Sequence, residues 1–182
     1  DVVLHTQPAV ATVRGGSFSK SIEAGKAGKI IEETVEIPEE SVFTKIANVV
    51  KEISEAVNLE DADVIVTGGR GMGSKENFAL VQELADVCGG VVGATRPAIE
   101  EEWVGRSHPV GQSGKIVAPK LYIACGVSGA TQHVSGMIGS GYIIAINKDE
   151  DAPIFDVADV GIVGDAMKVL PLLIEEIKKI KE

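Results

Sequence analysis

Between residues 121 and 165 the chain reads LYIACGVSGATQHVSGM and later AINKDEDAPIFDVADVGIVGD. A hydrophobic run ends in a glycine-rich turn and a histidine, and the strand-and-turn pattern then repeats twice. Short apolar runs closed by Gly, Ser, Asn or Asp are what an open parallel sheet presents at its ligand-binding edge.

The same alternation extends upstream. Strands are expected at residues 63–67, 91–95, 121–125, 142–147 and 160–163, with helices at 74–88, 97–103 and from about 129 to 137. A last helix carries Leu170, Leu173, Ile174, Ile177 and Ile180. Proline lacks the amide hydrogen a helix interior needs. Pro171 should therefore lie in that helix's first turn, or break it from a short turn at 166–168. Apolar strands alternating with helices imply an α/β fold: a parallel-sheet, Rossmann-like nucleotide-binding domain with helices on both faces.

The first forty residues read differently. Residues 10–13 and 29–37 alternate apolar with polar positions, as half-buried strands do, and Gly15, Gly16, Gly25 and Gly28 mark a loose connection between them. We read 1–40 as the tail of a preceding domain plus a linker, and 41–182 as the nucleotide-binding domain. Pro38, Glu39 and Glu40 should open a helix whose stripe is Val42, Phe43, Ile46, Val49, Val50, Ile53 and Val57. The first residue is Asp and not Met, so the chain is expected to be a piece of a longer protein.

Composition excludes several classes. Aromatics are 4% of the 182 residues while glycines number 21, which argues against stacking surfaces for single-stranded nucleic acid. A formal net charge of −10 argues further against nucleic acid, because phosphate binding needs a basic face. No apolar run approaches the roughly 20 residues of a membrane span, and no signal peptide is visible. Cys88 and Cys125 fit no metal spacing, so they read as two buried reduced thiols in a reducing, cytoplasmic compartment.

Residues 68–73, GGRGMG, follow an expected strand and precede a helix, the right context for phosphate binding. The spacing misses the dinucleotide fingerprint and lacks the Walker lysine and hydroxyl, so a tight strand-to-helix turn explains it equally well. Arg70 favours pyrophosphate, because its fork of donors pairs with phosphate oxygens. Residues 111–115, GQSGK, offer backbone amides, a carboxamide and a hydroxyl to a flavin edge, or else form an exposed turn. His133 has no triad or metal partners in sequence. It is either a satisfied structural group or a group near flavin O2. Asn147 and Asp165 each end a strand, where they could hold ribose and adenine. Capping of the next helix is the strong competing explanation for Asp165. Residues 149–151 read as a solvated turn.

From about residue 61 to 179 the chain resembles the C-terminal, FAD-binding domain of the electron-transfer flavoprotein alpha subunit. The words that carry this are VTGGRGMGSKENF, VVGATRP, VGQSGKIVAPKLYIACGVSGATQH, AINKDEDAPIFDVAD and GIVGD. The resemblance implies FAD as cofactor and assigns it residues. Arg70 would lie near ribose and pyrophosphate, and Thr95 and Arg96 against the isoalloxazine. Val110, Gly111, Gln112 and Ser113 would form the loop at flavin N5, with Ser113 where the family often has Thr. Ser128, Gly129, Ala130, Thr131, Gln132 and His133 would run along the phosphates and the pyrimidine edge. Asn147, Asp165 and Ala166 would take the adenosine end. Val160 departs from the Tyr that many members carry.

The resemblance also implies a heterodimer with the electron-transfer flavoprotein beta subunit. Through it electrons would pass between acyl-CoA dehydrogenases, or a quinone reductase, and a further acceptor. The chain would be a carrier without substrate turnover of its own, cytoplasmic, or in the mitochondrial matrix if eukaryotic. Electron bifurcation, a transhydrogenase-type nicotinamide-binding domain and a plain adenine-nucleotide regulatory module are the alternatives.

Overall fold

The computed structural model describes residues 3–13, 25, 28–38, 41, 43–44 and 58–181. Five parallel strands form one sheet: β1 (Val64–Gly68), β2 (Val91–Ala94), β3 (Leu121–Cys125), β4 (Ile143–Asn147) and β5 (Val160–Val163). Their order across the sheet is β2-β1-β3-β4-β5. The chain leaves β1 for one edge and returns past it to β3, so the order reverses between β1 and β3. In an open parallel sheet that reversal leaves a crevice beyond the strands' carboxyl ends.

Successive side chains on a strand face opposite sides, and both faces are apolar here. Val66, Ile123, Cys125 and Ile146 point into one core with α1 (Phe78–Cys88) and α4 (Ala166–Lys181). Ile65, Tyr122, Ala124, Ile143 and Ala145 point into the other. There the cover is lighter, with Leu59, Val110, Val117, Val127, Met137 and Ile154 arriving mostly from loops and short turns. Helices α2 (Arg96–Glu100) and α3 (Thr131–Val134) are short and stand at strand ends.

Several boundaries differ from expectation, for local reasons. Helix α1 starts at Phe78 and not at 74, because Asn77 and Ser74 capture backbone groups themselves. Asn77 Nδ2 donates to Met72 O at 2.6 Å, and Asn77 N donates to Ser74 Oγ at 3.4 Å. Its end is set by Gly89, left-handed at φ 70°, which lets the Gly89 and Gly90 amides close on Asp86 O and Ala85 O.

The expectation for Pro171 fails: it lies inside α4, as its sixth residue. Asp165 nucleates the helix ahead of it, since Met167 N donates to Asp165 Oδ1 at 3.0 Å. Leu170 and Ile174, both buried, then hold the helix on the sheet across the proline. Residues 10–13 and 29–37 form no strand among the described residues, and their apolar side chains are exposed (Val10 72%, Ile30 87%). An alternating pattern needs a partner strand, and no described residue supplies one. The helix expected from Pro38 to Val57 lies largely outside the described residues.

Candidate functional site

Two loops meet where the strand order reverses. The turn after β1 is pinned to the turn after β3 by Gly69 N to Cys125 O and Gly71 N to Gly126 O, both 2.9 Å. Only glycine allows this approach. A Cβ on Gly69 would fall 2.3 Å from Gly126 O, and one on Gly126, at φ 61°, 2.8 Å from Gly71 C. The close packing explains why GGRG and CGVSG carry no side chains at these points.

A third loop closes the site from the β2 side. Val110 N donates to Ala94 O at 2.9 Å, and Gln112 N to Gln132 O at 2.7 Å. The loop at 109–115 is thus fastened to β2 on one side and α3 on the other. His133 completes the link: its Nδ1 meets Val110 O at 3.0 Å and its Nε2 meets Tyr122 Oη at 3.0 Å.

These loops enclose a cleft of about 860 Å³, inside the ordinary range for cofactor sites. Of the residues expected at the site, Arg70, Thr95, Arg96, Val110, Gly111, Gln112, Ser113, Ser128, Ala130, Gln132, His133 and Asn147 line it. Gly129, Thr131, Asp165 and Ala166 do not. Gly129 makes the turn instead, at φ 88° with its α-carbon against Ile154, where a Cβ would fall 2.2 Å from Ile154 N. Asp165 caps α4 with its side chain, and Ala166 is buried as the helix's first residue.

Gly71, Pro97, Gly126, Val127, Lys148 and Asp149 line the cleft without having been singled out. Asp149 was read as solvated turn. Its amide donates to Asn147 Oδ1 at 3.0 Å, which folds the 147–149 turn back over the strand end. Asn147 is itself occupied by protein, since its Nδ2 donates to Val127 O at 2.9 Å.

Three cations, Arg70, Arg96 and Lys148, face the cleft against one carboxylate, Asp149. In a chain of net charge −10 this is a local reversal of sign, suited to a phosphate-bearing ligand. Arg96 leans on Glu100, with Nε 2.7 Å from Oε1 and 74% of its side chain exposed. Such a surface pair is worth about 0–1 kcal/mol, so the guanidinium is released at little cost. Thr95 Oγ1 is buried in the cleft wall with no hydrogen-bond partner among the described residues, a donor and acceptor left for a ligand.

His133 is neutral. Burial lowers its pKa to about 4, against a smaller raising effect of the Val110 carbonyl. Of the two thiols expected to be buried, Cys125 is, and burial pushes it up to about 12; Cys88 is only half-buried, and burial raises it too. No His, Cys, Asp or Glu cluster fit to hold a metal occurs among the described residues. The arrangement suits binding and redox tuning of a nucleotide cofactor.

Residues 58–138 match the family model described as the electron transfer flavoprotein FAD-binding domain. An electron transfer flavoprotein subunit alpha of Thermoanaerobacterium thermosaccharolyticum is 54% identical over 176 residues, covering 96% of this chain and 53% of that protein. Its counterpart in Megasphaera elsdenii is 52% identical over 178 residues, 96% of this chain and 53% of that one. The acryloyl-CoA reductase electron transfer subunit beta of Anaerotignum propionicum is 46% identical over 180 residues, 95% and 49%. The chain spans about half the length of these relatives.

Proposed function

Because the chain belongs to the electron transfer flavoprotein alpha-subunit family and carries its FAD-binding domain, we propose that it holds FAD in the cleft beyond β1 and β3 and shuttles electrons between a dehydrogenase and a downstream acceptor. The observation that supports this most is the cleft's charge: three cations against one carboxylate, at the strand-order reversal of an acidic chain. The unpartnered Thr95 hydroxyl and the glycine contacts around Gly126 fit a ligand that lies close along the backbone.

FAD, when bound, supplies reversible one- and two-electron transfer. The protein's part is to bind, orient and tune. Arg70 and Lys148 take the phosphates, as charges that a pyrophosphate neutralises. Thr95 and Arg96, with Val110, Gly111, Gln112 and Ser113, would hold the ring, and Arg96 would place positive potential beside it. Ser128, Ala130 and Gln132 run along the ribityl and phosphate segment. The turn of Asn147, Lys148 and Asp149 takes the adenosine end, where Asp165 and Ala166 had been expected. The mechanism uses no general acid–base pair.

The partners proposed are the beta subunit of the same family and, through it, an acyl-CoA dehydrogenase or a quinone reductase. We place the protein in the cytoplasm, or in the mitochondrial matrix in a eukaryote. No helix among the described residues is long and apolar enough to cross a membrane. The test is spectroscopic. Purified protein should be yellow, and heating should release FAD and not FMN. A colourless protein that cannot be reconstituted with FAD, yet binds NADP or AMP, would overturn the reading.

A further inference from the structure

A buried polar chain runs through the wall of the cleft, from the sheet to the loop at 109–115. Tyr122 sits in β3 with no exposed surface, its strand paired on both sides through Ile65 and Ile143. Its hydroxyl is 3.0 Å from His133 Nε2, and His133 Nδ1 is 3.0 Å from Val110 O. Thr67, also fully buried, sets its hydroxyl toward the Tyr122 phenol and meets no other partner among the described residues.

The hydrogen positions follow from what each atom can do. A carbonyl oxygen only accepts, so His133 Nδ1 carries a proton and donates to Val110. A neutral imidazole then has a bare Nε2, which must accept, and the Tyr122 hydroxyl is the donor within reach. The reverse arrangement needs a charged imidazole, in a position with only 7% exposure. It would also need the tyrosine proton turned away, toward Thr67.

We propose that Tyr122 is a positioning residue of the cofactor site, acting through His133: its hydroxyl, together with the Val110 carbonyl, holds the imidazole as the Nδ1–H tautomer and thereby locks the Val110 loop. The proposal rests on the FAD reading above for its functional meaning, and on the two hydrogen bonds for its geometry. Its consequence is specific. His133 faces the cleft with both nitrogens already committed, so it shapes the wall and holds the loop, and it brings no positive charge to the bound ring. Removing the tyrosine hydroxyl leaves Nε2 without a donor. The ring is then held through Val110 O alone, and the loop's tie loosens.

Nitrogen-15 spectra of the histidine rings, with His133 identified by loss of its signals in His133→Gln, test this at neutral pH. In the unaltered protein, with or without FAD, His133 should show a protonated Nδ1 and a bare, hydrogen-bonded Nε2. In Tyr122→Phe the Nε2 signal should move toward that of a free imine nitrogen. FAD affinity should fall about tenfold, as expected for one lost buried hydrogen bond. A protonated Nε2 in the unaltered protein would overturn the proposal, and that result needs no variant to fold. So would a Tyr122→Phe protein whose His133 signals and FAD affinity are both unchanged. A protein that takes up no FAD would sink the cofactor reading instead, while the tautomer in the unloaded chain would still decide for or against Tyr122.

Discussion

His133 couples this site to pH through burial. An unfolded imidazole takes its proton near 6.5, whereas the folded one takes it near 4. Between those values the unfolded state binds more protons, so stability is fully present above 6.5 and is lost as pH falls toward 4. The difference corresponds to roughly 3 kcal/mol at the acid end, at 1.36 kcal/mol per pKa unit. Urea midpoints measured from pH 7 to pH 4.5 should fall, and His133→Gln should flatten that slope. A slope unchanged by the variant would mean that carboxylates alone carry it. In the proposed site, Arg96 acts on FAD by charge. Arg96→Ala should lower the one-electron potential of bound FAD, by about 60 mV for each 1.4 kcal/mol of stabilisation lost. Photoreduction against redox dyes would show it, and a potential that does not move would remove Arg96 from the ring's surroundings.

At the scale of elements, α4 separates two explanations for one residue. Asp165 was a candidate for the adenosine end, yet its carboxylate accepts from Met167 N at 3.0 Å and it does not line the cleft. Asp165→Ala should therefore cost about 1 kcal/mol of stability, as a lost N-cap does, and leave FAD affinity unchanged in titration. A large affinity loss with little change in stability would restore the cofactor role. Pro171 offers the opposite sign. It is exposed inside α4, and proline is about 3 kcal/mol less favourable than alanine in a helix interior. Pro171→Ala should raise the unfolding free energy measured in denaturant by up to that amount.

The same elements show what a sequence discloses. All five sheet strands were legible, because β-branched runs bounded by glycine and asparagine have only one use in an alternating α/β chain. Most of the cleft was legible too, since GGRG, VGQS and SGATQH sit at strand ends. Pro171 was misread because tertiary packing of Leu170 and Ile174 outweighs a local rule, and packing is invisible along a chain. Asp149 and Lys148 were passed over because KDED looks like a solvated turn until Asn147 folds it back. The neutrality of His133 was hidden for a similar reason: nothing nearby in sequence announces Tyr122 or Val110 as its partners.

The whole molecule divides its apolar surface unevenly. Strands β1 to β4 are buried on both faces while β5 is largely exposed, and Val3, Val10, Val13, Ile30, Ile31, Val35 and Ile37 are each at least 66% exposed. So many exposed branched side chains in the described part of the first forty residues favour further protein covering them. We infer that this is the rest of the alpha subunit together with a beta subunit, since the chain spans about half of its relatives. The full-length protein should co-purify with a second subunit in one-to-one stoichiometry. Counting nucleotides in that complex then separates its uses. One FAD with AMP would mark simple shuttling, because only the flavin held by this domain exchanges electrons. Two FAD would mark bifurcation, in which a second flavin splits the pair between acceptors of different potential. A stoichiometric complex built without any second subunit would overturn the assembly proposed for this chain. The flavin cleft would stand, since its walls come from residues 70–149 of the chain itself.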